Sequence, residues 1–282
     1  MRMFAFPLFL VMFLSACKPA TDPQSTPAAS QQAEPLPAPP AKVGAIPLPP
    51  GYVRIKAGPH DYATFLRMLP LKKDNTVYLY NGQKKRNQKA QYAVLVMDIG
   101  NKDLQQCADA VMRLRAEYLF EQQLPGAIAF RFNNGFLCDY EHYAAGYRVS
   151  VNGNRYAWVK QQPADPSYET FRRYLDLVFS YAGTRSLHAQ LKPVPFTSLA
   201  AGQVLIQTGE PYGHAVTVMD MAYHPETKDT IFLLSQSFMP AQDIHILRNF
   251  TNPKLSPWYS IHTEGDLDTP DWTFHKEDLR TF

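Results

Sequence analysis

Between Lys18 and Pro50 the chain is rich in Pro, Ala, Gln and Ser and holds few bulky apolar residues, which limits what the rest can fold into. Such a segment cannot offset the entropy lost on ordering, so a disordered or polyproline II tether is expected there. The run Phe4 to Leu14 is apolar, but at about half the ~20 residues of a membrane-spanning helix it reads as a targeting segment outside the fold. The core must then come from Gly51 to Phe282, about 230 residues, enough for one large domain. No second linker and no internal repeat divides that stretch, so a single domain is expected.

The apolar run ends in Leu14-Ser15-Ala16-Cys17, which resembles the lipobox of bacterial lipoproteins. The resemblance implies cleavage after residue 16, acylation of Cys17, and a bilayer as a partner of the mature chain. It also implies the bacterial cell envelope as location. Lys18 stands where Asp would retain such proteins at the inner membrane, which implies the outer membrane, facing the periplasm.

The formal charge is only +3, with both signs interspersed. Lys84-Lys85-Arg86 lies beside a turn signal at Asn81-Gly82 and reads as a solvated patch, so no nucleic-acid partner is expected. His224, His245 and His262 have no metal-ligand spacing, so neither metal nor cofactor is expected.

Periodicity predicts strands at Tyr52–Lys56, Thr76–Tyr80 and Tyr92–Asp98, then a helix over Leu104–Phe120. Leu104, Cys107, Ala108, Val111, Leu114 and Tyr118 line one face of it. Asp103 is the expected N-cap, with Gln106 as its capping-box partner. Strands follow at Ala127–Phe132, Gly146–Val151 and Tyr156–Lys160, then a helix over Ser167–Tyr181 closed by Gly183. The last third reads as strands, at Val204–Gln207, His214–Ala222, Thr230–Ser235 and Asp243–Leu247. Helices first and strands afterwards give an α+β class, a mainly antiparallel sheet packed against a few helices.

Removing Cys17 from the count leaves Cys107 and Cys138, the minimum for one disulfide in an oxidising compartment. Either they pair, or Cys107 is a free thiol near a helix N-terminus, where the macrodipole favours a thiolate. Its own backbone N–H and the amides of Gln105 and Gln106 are oxyanion candidates. If the strands at His214 and Thr230 form a hairpin around Pro225, Gln236 comes within a residue or two of the position opposite His214. An imidazole held by a side-chain amide is the base and orienter of a cysteine hydrolase. The duller alternatives are a core histidine, a loop-bonding amide and a structural thiol. Ser186 lacks a nucleophile elbow, and Trp158, Trp258 and Trp272 read as core or groove aromatics.

Gly213-His214-Ala215-Val216 and Gln236-Ser237-Phe238 resemble the histidine and asparagine strands of papain-like peptidases, and Gly202-Gln203-Val204-Leu205 a strand of NlpC/P60 cell-wall peptidases. That resemblance implies a hydrolase acting on an envelope peptide or peptidoglycan amide, with Cys107, His214 and Gln236 as its catalytic set. The competing reading is an envelope lipoprotein that binds a peptide, glycan or protein without turnover. A longer resemblance runs from about Tyr52 to Tyr259. Asp103-Leu104-Gln105-Gln106-Cys107-Ala108-Asp109, Tyr181-Ala182-Gly183-Thr184, Met239-Pro240-Ala241-Gln242-Asp243 and Ser256-Pro257-Trp258-Tyr259 are similar to segments of the bacterial lipoprotein family catalogued as domain of unknown function 4846. It implies an envelope location and one continuous domain.

Overall fold

Residues 39–282 are described by a computed structural model, and they pack from their beginning. The expected signal segment, the lipobox-like motif with Cys17, and the expected tether up to residue 38 lie outside the described residues. The part of the expected tether that is described belongs to the fold: Val43 and Ile46 are wholly buried, among Leu66, Leu69 and Leu71. Val43 N–H donates to Leu69 O (3.0 Å), and Trp258 Nε1 donates to Pro47 O (2.8 Å). The described fold thus already includes residues ahead of Gly51. The few apolar residues in this Pro-rich stretch find a groove, and their burial offsets the ordering cost.

The chain then makes β1 (Val53–Arg54), α1 (Tyr62–Met68), β2 (Gln91–Val94) and α2 (Cys107–Glu121). Next come β3 (Ala129–Arg131), β4 (Leu137–Asp139), α3 (Tyr140–Ala144), β5 (Tyr147–Asn152), β6 (Arg155–Lys160), α4 (Tyr168–Tyr181) and α5 (Thr184–Gln190). The last part gives β7 (Lys192–Pro193), β8 (Val204–Gln207), β9 (His214–Tyr223), β10 (Thr230–Gln236), β11 (His245–Leu247), β12 (Tyr259–Ser260), β13 (Leu267–Asp268), β14 (Thr273–Phe274) and β15 (Leu279–Thr281). The expected strand at Thr76–Tyr80 is a loop with isolated bridges, because the Gln88 side chain takes the Val77 N–H and C=O that a ladder would use.

Nine strands form one antiparallel sheet, in the order β2-β11-β10-β9-β8-β15-β7, with β1 added to β9 and β12 to β10. With α2 on one face this is an α+β domain. The pairs β3–β4, β5–β6 and β13–β14 are separate hairpins.

The two faces of the sheet bury different things. Helices α1 and α2 cover one: Ala108, Val111 and Met112 pack with Ala215, while Ala110 and Leu114 pack with Met219, Leu233 and Ile246. Contacts on both sides explain why the first half of α2 is buried nearly all round rather than along one stripe. Truncating Leu114 to Ala should cost about 2–5 kcal/mol. The other face carries Val216, Val218, Phe232 and Leu234 under Phe274 and Leu279. Alternation along β9 puts His214 on this second face.

The tail of β9 is pinned. Asp220, with a fully buried side chain, accepts from Arg54 Nε (2.7 Å) and Arg67 Nε (2.5 Å). Two guanidinium groups and the N–H of Met221 satisfy a carboxylate whose desolvation would otherwise be prohibitive.

Candidate functional site

Helix α2 begins at Cys107, not at Leu104. Its N-cap is Gln106, and Asp109 closes the capping box, with Oδ2 accepting the Gln106 N–H (3.0 Å). The expected cap, Asp103, is drawn elsewhere: its Oδ1 accepts from Ala241 N–H (2.7 Å) and Gln106 Nε2 (3.1 Å), stapling this loop to the one after β10. Cys107 is therefore the first helical residue, where backbone N–H groups lack intrahelical partners.

The thiol lies on the floor of a cleft of about 530 Å³ lined by α2, the turn between α4 and α5, and the loop from Thr208 to Gly213. Its hydrogen bond goes to Gly213 O (3.9 Å). Burial, then the nearby Asp109, push it up to about 11, while the N–H groups of Ala108, Ala215 and Cys107 itself pull it down. Sulfur thus sits among three donors that would welcome a thiolate, in a place dry enough to keep it a thiol. Burial also drives the Asp109 carboxyl well up, and its Oδ1 has no hydrogen-bond partner.

Gly213 lets β8 and the start of α5 close up beside the thiol's carbonyl partner. A Cβ there would fall 2.2 Å from Gln207 O and 2.8 Å from Thr184 Oγ1, so any side chain would wedge β8 from β9 at the cleft floor.

His214 follows, with its ring outside the cleft lining. The register pairs Ser235 with Thr217, which leaves Gln236 diagonal to His214, and His214 Nε2 lies 2.8 Å from Gln236 Oε1. The ring packs against Phe238 (4.8 Å), Trp272 (5.3 Å) and Phe274 (5.8 Å). Burial lowers it to about 4, against the opposing pull of Gln236 and Asp271, so the imidazole is neutral near pH 7.

Of the two side-chain amides among the oxyanion candidates only Gln106 reaches the cleft. Gln105 is buried, its Oε1 accepting from Arg113 Nη1 (3.0 Å) and its backbone C=O from Ser237 Oγ (3.0 Å). The disulfide is not formed: Cys107 and Cys138 are both free thiols. Cys138 sits in β4 within the helix-side core, and burial pushes it up further than Cys107. Ser186 lies in the first turn of α5, where its Oγ accepts the Gly183 N–H (3.1 Å).

Four residues escaped the sequence reading. Asp109 hid in a capping motif. Lys85, read as part of a solvated patch, is buried and ion-paired to Asp271 at 2.8 Å. Asp271, between β13 and β14, also accepts from Gln236 Nε2 (2.8 Å), and His245 lies 3.4 Å from the same nitrogen. No periodic signal marks loop residues that meet only in the folded chain.

The chain matches the domain of unknown function (4846) over residues 44–281. It is a member of that family. The match takes in all but the first few and the last of the described residues and runs through β15, so it covers the sheet with its helices and hairpins. No curated protein and no solved structure matches the chain.

Proposed function

We propose that this protein is a cysteine hydrolase of the bacterial cell envelope, lipid-anchored through Cys17 at the outer membrane and acting on an amide of an envelope peptide or peptidoglycan stem. One observation supports the chemistry above others: a helix-N-terminal thiol on a cleft floor, ringed by the N–H groups of Cys107, Ala108 and Ala215, beside the residue whose imidazole an amide locks in place. The anchor rests on the Leu14-Ser15-Ala16-Cys17 motif.

Both partners are neutral at rest, the thiol near 11 and the imidazole near 4, so the pair works by general-base catalysis rather than as a preformed ion pair. Sulfur attacks the carbonyl carbon as its proton passes to His214. The tetrahedral oxyanion is received by N–H groups at the start of α2, with Gln106 alongside. The C–N bond breaks as His214 returns the proton to the leaving amine, leaving a thioester, which water hydrolyses with the imidazole again as base. At rest the thiol's hydrogen bond goes to Gly213 O rather than to the imidazole, so the displacement of sulfur from the ring must close for the first step while Gln236 keeps its hold on Nε2.

The second reading, a non-catalytic binder, draws on that same displacement, since the thiol bonds to Gly213 O and the imidazole lies outside the cleft. Turnover of a muropeptide digest by the wild-type chain and its loss in Cys107→Ala separate the two. Equal product from both proteins would sink the hydrolase. Metabolic labelling with an alkynyl fatty acid, lost in Cys17→Ser, tests the anchor.

A further inference from the structure

Gln236 is the centre of a buried polar cluster whose donors and acceptors have one consistent arrangement. Its amide faces three groups: His214 Nε2 at 2.8 Å, Asp271 Oδ2 at 2.8 Å and His245 Nε2 at 3.4 Å. A carboxylate only accepts, so the Gln236 –NH2 must point to Asp271. His245 gives the same answer from the other side. Its Nδ1 lies 2.8 Å from Asp243 O, a carbonyl that only accepts, so Nδ1 carries the proton and Nε2 presents a lone pair to the same –NH2. Turning the amide over would set Oε1 against both a carboxylate and a lone pair. The oxygen is therefore left facing His214, whose Nε2 must donate to it.

We infer that Asp271, paired with Lys85, is a positioning residue that acts through Gln236 to fix the proton of His214 on Nε2 and leave Nδ1 as the basic nitrogen. The ion pair gives the device its stiffness. Asp271 Oδ2 receives Lys85 Nζ at 2.8 Å, and the Lys85 side chain is itself buried, so the carboxylate is held in place by a strong, poorly hydrated partner. Burial alone would push the Asp271 carboxyl up; Lys85 and Gln236 more than offset this and keep it below the usual carboxylate value. The elements concerned are far apart in sequence: the loop before β2, the ends of β9 and β10, β11, and the turn between β13 and β14. That turn also supplies Trp272, which covers the ring and donates from Nε1 to Gln207 Oε1 (2.9 Å).

The effect on catalysis rests on the hydrolase reading above, whereas the proton's position on the ring is a property of the folded chain. The test reads them separately. In full-length protein carrying 15N-histidine, multiple-bond 1H–15N spectra near neutral pH should show His214 protonated on Nε2. Asp271→Glu should keep that tautomer. Asp271→Leu with Lys85→Met, which removes the acceptor without stranding a buried charge and leaves only the longer His245 contact to select the Gln236 –NH2, should add the Nδ1-protonated form of His214. A wild-type ring protonated on Nδ1, or a folded double variant purely protonated on Nε2, would overturn the assignment. Should the double variant fail to fold, wild type and Asp271→Glu decide. In turnover assays the double variant should lower kcat by about 10²-fold with KM little changed, and Asp271→Glu should keep most of it. A chain that turns nothing over would remove the hydrolase and leave the ring-proton result intact.

Discussion

Two regions of the molecule each bury a thiol, and they differ in what surrounds it. Cys138, in the β3–β4 hairpin, is sealed in the helix-side core; Tyr174 Oη donates to its backbone C=O (2.9 Å), and the influences on its sulfur are burial and the Asp139 charge. Cys107, at the head of α2, is nearly as buried, yet the backbone N–H groups of Ala108, Ala215 and Cys107 favour its thiolate and the sulfur's residue lines a cleft. Burial pushes both thiols the same way. On the hydrolase reading, a helix end and an open cleft are what set the first sulfur apart from the second.

The largest expected effect tests that contrast directly. Cys107→Ala should remove turnover altogether in a single-turnover assay, whereas Cys138→Ala should leave kcat unchanged. Loss of activity in both variants would mean the two regions are not functionally distinct. His214→Ala should follow, lowering kcat by about 10²- to 10⁴-fold. A drop confined to KM would make His214 a binding residue instead.

Alkylation sharpens the comparison without a substrate. Iodoacetamide should modify Cys107 at least about ten times faster than Cys138 in the native state, with the site read by peptide mass mapping, because access as well as thiolate fraction sets the rate. Equal rates would indicate that both thiols react only through unfolding.

Acid should weaken the imidazole side specifically. Burial lowers His214 to about 4 and His245 to about 3, from an unfolded value of 6.5. Between these values the unfolded chain binds more protons than the folded one, so stability falls as pH drops from about 6.5 through 4 toward 3, and is restored above it. The loss should reach a few kcal/mol, measured by urea unfolding across that range, and His245→Asn should flatten the slope. A slope unchanged in His245→Asn would mean that other groups govern the acid limb. The smallest effect is expected from Cys138→Ala, about 1–2 kcal/mol of stability from the vacated volume.

The parts of this molecule visible in its sequence are those with a period. The apolar spacing of Val111 and Leu114 marks α2, and the continuous apolar runs of β8, β9 and β10 mark central strands. Counting back from Pro225 places Gln236 beside His214, because a hairpin converts sequence distance into spatial distance. Asp103, a good cap by type, does not begin α2 because it is claimed by Ala241 N–H of the loop after β10, a partner distant in sequence. Val43 and Ile46 looked like strays in a tether because the groove receiving them is made by residues much later in the chain. Lys85 and Asp271 hold one another, and neither has a local feature to betray it.

Gly213 bears on how relatives should be judged. Its bare Cα is demanded by Gln207 O, a backbone atom of the neighbouring strand, whatever occupies the cleft. An active enzyme and a silent descendant that only binds would keep glycine before the histidine for the same steric reason. A Gly-His pair in another chain of this family therefore reports an intact frame and says nothing of activity. On the hydrolase reading the diagnostic position is that of Cys107, because Asp271 also holds the buried Lys85 and its loss would disturb the frame itself.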